Sequence, residues 1–156
     1  MKLEVVHQRN RNCHKYGSQV LARAVRFVRA NGISGDPDVI WGTLAVQMIM
    51  DNPTQLILAA VEDSGKVRGH FIARLLDFDG ELQVMITQLE IDKDAREDRE
   101  VVMQNGMAMT VEWAKSLGAT TVRCWAMTPT LAKLFERFGL EPKDYVLMER
   151  DITNPE

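Results

Sequence analysis

Cysteine is scarce in this chain: Cys13 and Cys124 are the only two in 156 residues. Two thiols so far apart argue against a disulfide framework and for a reduced, cytosolic setting. An excess of positive charge is also missing. The net charge is −3 at pH 7, whereas general nucleic-acid binders carry a basic surplus. No apolar run approaches the roughly 20 residues that cross a bilayer, so no membrane partner is expected. The opening Met1-Lys2-Leu3-Glu4 leads into polar sequence rather than a signal peptide. Phosphate-loop, dinucleotide and nucleophile-elbow motifs do not occur. His7, Cys13 and His14 lie close together, but their spacing matches no common zinc pattern, and no metal is expected.

What is present is the balance of an ordinary globular protein. Apolar residues make up 46% and charged residues 26%, enough for one domain over residues 1–156 with its own core. No repeat, low-complexity tract or linker interrupts it. The nine methionines are many for this length; they read first as pliable core fillers and second as an adaptable contact surface.

The apolar spacing predicts strands and helices in a definite order. Residues 2–7 read as a short strand and residues 8–14 as a loop. Residues 16–30 read as a helix with Val20, Leu21, Ala24, Val25 and Val28 on one face. Arg23, Arg26 and Arg29 recur every three residues on the other face, as a solvated stripe or a site for a phosphate or acidic partner. Asn31-Gly32 ends that helix. Asp36-Pro37 opens the next, which stops near Asp51-Asn52-Pro53. Its Trp41, Met48, Ile49 and Met50 could pack in the core or form a contact surface. Residues 55–61 form a continuous apolar strand, and Asp63-Ser64-Gly65-Lys66 a hairpin turn. Strands over 67–76 and 82–91 follow, then a helix over 101–117, a strand over 120–127, a helix over 130–138 and a strand over 145–152. His70 falls opposite the apolar face of its strand, at the surface or in a substrate groove.

The order β-α-α-β-β-β-α-β-α-β is an α/β (α+β) mixed sheet. Together with Ala132-Lys133-Leu134-Phe135-Glu136-Arg137-Phe138-Gly139-Leu140 it resembles the GCN5-related N-acetyltransferases, the GNAT family. Members of that family commonly read Ala-x-x-Leu-Tyr-x-x-x-Gly-Phe in that closing segment. The resemblance covers the whole chain. It implies acetyl-CoA as cofactor and an amine as acceptor.

The resemblance also points to particular residues. Acetyl-CoA would be held where the fourth strand, ending at Ile91, turns into the third helix. The family's turn reads Arg/Gln-x-x-Gly-x-Gly/Ala, because glycines let phosphates approach backbone N–H groups at a helix N-terminus. Aligned from the strand, Arg96 takes the family's arginine, and Arg99 and Val101 replace the glycines. Aligned from the helix, Val101 and Met103 replace them. Asp92, Asp94, Glu97, Asp98 and Glu100 crowd this turn; they suit a helix start, repel a pyrophosphate, and are offset only in part by Lys93, Arg96 and Arg99. Phe135 stands where many members have a tyrosine that protonates the leaving thiolate. Tyr145 is a poor substitute by position. Cys124 reads as a small buried apolar residue. The general base would be Glu90, the only carboxylate inside its strand. The family's acidic position falls on Gln88, and Glu90 then points to the opposite face unless the family's usual bulge shifts the register.

Two functions fit these residues. One is a GNAT-type acetyltransferase, of weak or lost activity, acting on a CoA thioester and an amine. The other is a non-catalytic GNAT-fold structural or interaction protein with a protein partner or a second copy of itself. Degenerate GNAT-like proteins of this size occur in tailed bacteriophages, some as particle components, so a virion-associated location stands beside the cytoplasmic one.

Overall fold

The computed structural model describes residues 1–33, 35–126, 128–143, 148 and 150, apart from the side chain of Arg96. It divides into two compact units, Met1–Trp125 and Ala126–Glu156. In the first, β1 (Lys2–Val5), α1 (Cys13–Ala30), α2 (Pro37–Ile49), β2 (Gln55–Val61), β3 (Val67–Phe78), β4 (Glu81–Ile91), α3 (Arg96–Ser116) and β5 (Thr121–Cys124) follow in order. The second holds α4 (Pro129–Arg137). The strand expected over 145–152, with Tyr145, lies outside the described residues, as does Met127.

The sheet order is β1-β2-β3-β4-β5. The first four strands form an antiparallel meander; α3 then carries the chain over to β5, which pairs parallel with β4. β2 is buried along six of its seven residues, as its continuous apolar run demands. One face packs on α1 and α2, where Val20, Leu21, Ala24, Leu44 and Met48 meet Ile57, Ala59 and Ile72. On the other face Phe71 lies against α3 at Gly106. Met48, Met103 and Met107 are buried, so the methionines serve the core at these positions.

Local chemistry explains the helix ends. The Asp36 side chain accepts from the Asp38 N–H, with Pro37 in the first turn. α1, α3 and α4 each close on a left-handed glycine: Gly32, Gly118 and Gly139. In α4 the Leu140 N–H reaches the Phe135 carbonyl and the Gly139 N–H the Glu136 carbonyl, and the Thr128 side chain caps the start.

Several boundaries differ from the sequence reading. The third helix starts at Arg96 rather than 101, because its first turn is charged and carries no apolar periodicity to read. α1 starts at Cys13 instead of 16, and a short 3-10 turn occupies Gln8–Asn10. β1 ends at Val5, since His7 caps that turn: its Nδ1 accepts from the Arg9 N–H and its Nε2–H donates to the Met50 carbonyl. β5 covers only Thr121–Cys124. In α2, Met48 is buried while Val39, Trp41, Val46 and Ile49 are exposed.

Candidate active site

β4 contains a bulge. Ile86 pairs with Ala73 and Gln88 with the adjacent Ile72, so Thr87 is left over between them. The Thr87 hydroxyl donates to the Ile72 carbonyl at 3.2 Å, which anchors the extra residue. Pairing with β5 stops at the same place: Ile86 with Cys124 is the last pair among the described residues. Beyond it β4 runs on to Ile91 paired only with β3, and among the described residues no strand pairs with the β5-side edge of Gln88, Leu89, Glu90 and Ile91.

That free end of β4 leads straight into a helix start. Asp92 and a 3-10 turn over Lys93–Ala95 connect it to α3. Ala95, the N-cap residue, makes no side-chain capping bond. The N–H groups of a helix's first turn have no partner further along that helix; in α3 these belong to Arg96, Glu97 and Asp98. Among the residues expected at the cofactor, Ile91 ends β4 opposite Gly69, and Arg99 is exposed in the first turns of α3. Val101 is exposed as well, whereas Met103 is 3% exposed and its side chain belongs to the core. The Arg96 side chain lies outside the described residues.

Of the five carboxylates at this turn, Asp92 and Asp94 are paired with arginines, while Glu97, Asp98 and Glu100 are exposed at the start of α3. Asp92 is held from two sides, by Arg23 Nη2 of α1 at 2.9 Å and Arg68 Nε of β3 at 3.1 Å. Arg68 also pairs with Asp94 and, at 2.9 Å, with Glu62. The neighbouring guanidinium holds the Asp94 carboxyl below its usual range, and Asp94 raises Arg68 in turn. Nothing in the sequence spacing links Arg23 or Arg68 to this turn; pairing of β3 with β4 and packing of α1 bring them there. Of the arginine stripe only Arg23 is drawn inward; Arg26 and Arg29 are exposed, as a solvated face would be.

Glu90 sits on the α1 side of the sheet. Its Oε1 meets Arg23 Nη2 at 3.0 Å and Arg26 Nη2 at 3.4 Å; among the described residues Oε2 carries no bond. Gln88 pairs with Ile72 and Glu90 with His70, two residues apart on both strands. Glu90 and Gln88 thus share a face, which corrects the opposite placement expected from sequence: the bulge lies ahead of both of them.

His70 is neither at the surface nor in an open groove; it is fully buried. Its Nε2 lies 2.9 Å from Gln88 Oε1, and Phe27 meets its ring edge-on. Burial drives the imidazole from 6.5 down to about 4, against the opposing bond from Gln88. Cys124 is half-buried, and desolvation pushes its thiol up to about 11, unlike an activated nucleophile. In the second unit Phe135 is buried and offers no proton. No group of three or more metal-ligating side chains occurs among the described residues, and no helix there is long and apolar enough to cross a membrane.

The sequence matches no protein-family model and no curated protein. Solved structures do match across nearly the whole chain. One is a probable acetyltransferase, with a TM-score of 0.74 and 13% identity, covering 99% of this chain and 100% of its own. A predicted acetyltransferase from Clostridium acetobutylicum, solved with acetyl-CoA, has a TM-score of 0.70 at 14% identity, covering 87% of this chain and 90% of its own. An aminoglycoside acetyltransferase from an uncultured soil metagenomic sample, in complex with sisomicin, has a TM-score of 0.69 at 12% identity, covering 98% and 96%. The element order, the bulged fourth strand and these neighbours agree: the chain has the fold of the GCN5-related N-acetyltransferases.

Proposed function

We propose that the chain is a GNAT-type N-acetyltransferase that takes acetyl-CoA as donor and an amine as acceptor. The observation that carries this reading is the bulge at Thr87, where β4 leaves β5 directly ahead of an uncapped helix N-terminus. The β4 edge left unpaired by β5 over residues 88–91 suits an extended pantetheine arm, which would add hydrogen bonds to it. The N–H groups of Arg96, Glu97 and Asp98 would hold the pyrophosphate, supported by the α3 dipole and by Arg99. Acetyl-CoA, when bound, supplies the thioester. Glu90 Oε2 accepts the proton of the acceptor amine and leaves it a neutral nucleophile. Attack by a neutral amine needs positioning and desolvation more than further acid–base help. With phenylalanine at 135, protonation of the leaving group falls to solvent. A fold neighbour solved with acetyl-CoA and another with the amine sisomicin support this reading.

Calorimetric titration with acetyl-CoA, with CoA as control, tests it. Micromolar binding supports a transferase; no binding at millimolar ligand sinks it.

A second reading rests on a specific observation: Glu90 is already held by two arginines, as a structural ion pair would be. In that case the chain is a non-catalytic interaction module, of a bacteriophage particle or another assembly. The exposed Val39, Trp41, Val46 and Ile49 of α2 would then be its contact face.

A further inference from the structure

The turn between β4 and α3 has no glycine from Asp92 to Val101, yet its backbone is held closely. The Asp92 N–H donates to the Arg68 carbonyl at 2.8 Å, and the Ala95 N–H to the Asp92 carbonyl at 3.0 Å. Arg23 Nη2 also donates to the Arg68 carbonyl at 3.3 Å while it pairs with Asp92. Asp92 is thus hydrogen-bonded through its backbone and through Oδ1, by Arg23, while Arg68 Nε faces Oδ2 as an ion pair without hydrogen-bond geometry. The strands approach so closely here that a Cβ on Gly69 would come 2.8 Å from the Glu90 carbonyl oxygen. Arg23 and Arg68 are largely shielded from water, with side-chain exposures of 8% and 12%. Ion pairs in such surroundings are screened far less than surface pairs.

We propose that Arg68, assisted by Arg23, is a positioning residue for anion binding: clamping Asp92 orients the first-turn N–H groups of α3 and replaces the geometry that glycines would otherwise supply. This rests on the transferase reading for the identity of the anion, the acetyl-CoA pyrophosphate. The clamp itself is a property of the free protein. A side effect follows from charge: the same arginines neutralise Asp92 and Asp94, which removes two of the five carboxylates that oppose an anion at this turn.

The test compares the unsubstituted protein with Arg68→Met, Arg68→Lys and Asp92→Asn in two measurements. Amide hydrogen exchange in the free protein reads the clamp. Arg68→Met and Asp92→Asn are expected to speed exchange at the bonded amides of Asp92 and Ala95 at least tenfold, with Leu58, Ala59 and Ala60 of β2 unchanged. Unchanged exchange at Asp92 and Ala95, or equal acceleration everywhere, overturns the proposal. Titration with acetyl-CoA reads the consequence. Affinity is expected to fall tenfold or more in Arg68→Met and to recover in part in Arg68→Lys. Full affinity in Arg68→Met overturns the positioning role. Absence of binding to the unsubstituted protein would overturn the transferase reading, while the exchange comparison still decides the clamp. Asp92→Asn keeps the shape of the turn, so it decides the question should Arg68→Met fail to fold.

Discussion

His70 shows how a polar residue behaves when a strand is covered on both faces. Its imidazole is neutral in the folded protein, titrating near 4 rather than 6.5 because burial penalises the cation. The unfolded chain therefore binds more protons between those two values. The contribution to stability is fully present above about pH 6.5 and is lost as the pH falls towards about 4. Its size is on the order of 3 kcal/mol. Urea unfolding at pH 7.5 and pH 4.5 should show a drop in stability larger by roughly 2 kcal/mol in the unsubstituted protein than in His70→Gln. Equal drops would mean that His70 is not the titrating group. Glu90 gives a second expectation. If its carboxylate takes the amine proton, Glu90→Gln lowers kcat/KM about 10²–10⁴-fold and removes the lower limb of the pH–rate profile. A uniform loss with an unchanged profile would assign Glu90 to structure alone. His70 was misread from sequence because alternation along β3 suggests one wet face. Whether a face is wet depends on α1, which packs from far along the chain.

The informative elements are β4 and α3. Thr87 is the single extra residue of β4, and side chains on either side of it already sit on alternating faces of the sheet. Deleting Thr87 should therefore leave Ile86 and Gln88 on their present faces while closing the bulge. The fold is expected to survive and acetyl-CoA binding to vanish by calorimetry; retained binding would detach the bulge from the ligand. α3 is set against the sheet by Gly106, where a Cβ would fall 2.5 Å from the Phe71 ring. Gly106→Ala forces that ring or the helix to move and should cost about 1–3 kcal/mol in urea unfolding, despite alanine's better helix propensity. A stabilised variant would show that the helix shifts freely. Most of the elements could be read from periodicity. The first turn of α3 could not: Arg96, Glu97, Asp98, Arg99 and Glu100 have no apolar member, and their helicity comes from acids near a helix N-terminus and from the clamp on Asp92.

For the whole molecule, a ligand that binds only the folded state adds RT ln(1 + [L]/Kd) to stability, about 2.7 kcal/mol at 100 times Kd. For a chain of this length that raises Tm by roughly 5–10 °C. Acetyl-CoA is expected to produce such a shift in a thermal melt and acetate alone none. Equal melts with and without acetyl-CoA would favour the non-catalytic reading.

Composition, periodicity and capping residues by themselves determined the class of fold, the nature of the β2 strand, the start of α2 at Asp36-Pro37 and the ends of α1, α3 and α4 at glycine. These are local matters, decided within a few residues of where they act. Tertiary structure alone decided the bulge at Thr87, the burial of His70, and the arginines that hold Asp92. Each of these depends on which strand or helix lies alongside, and pairing between Arg23, Arg68 and Asp92 leaves no periodic trace in the order of residues along the chain.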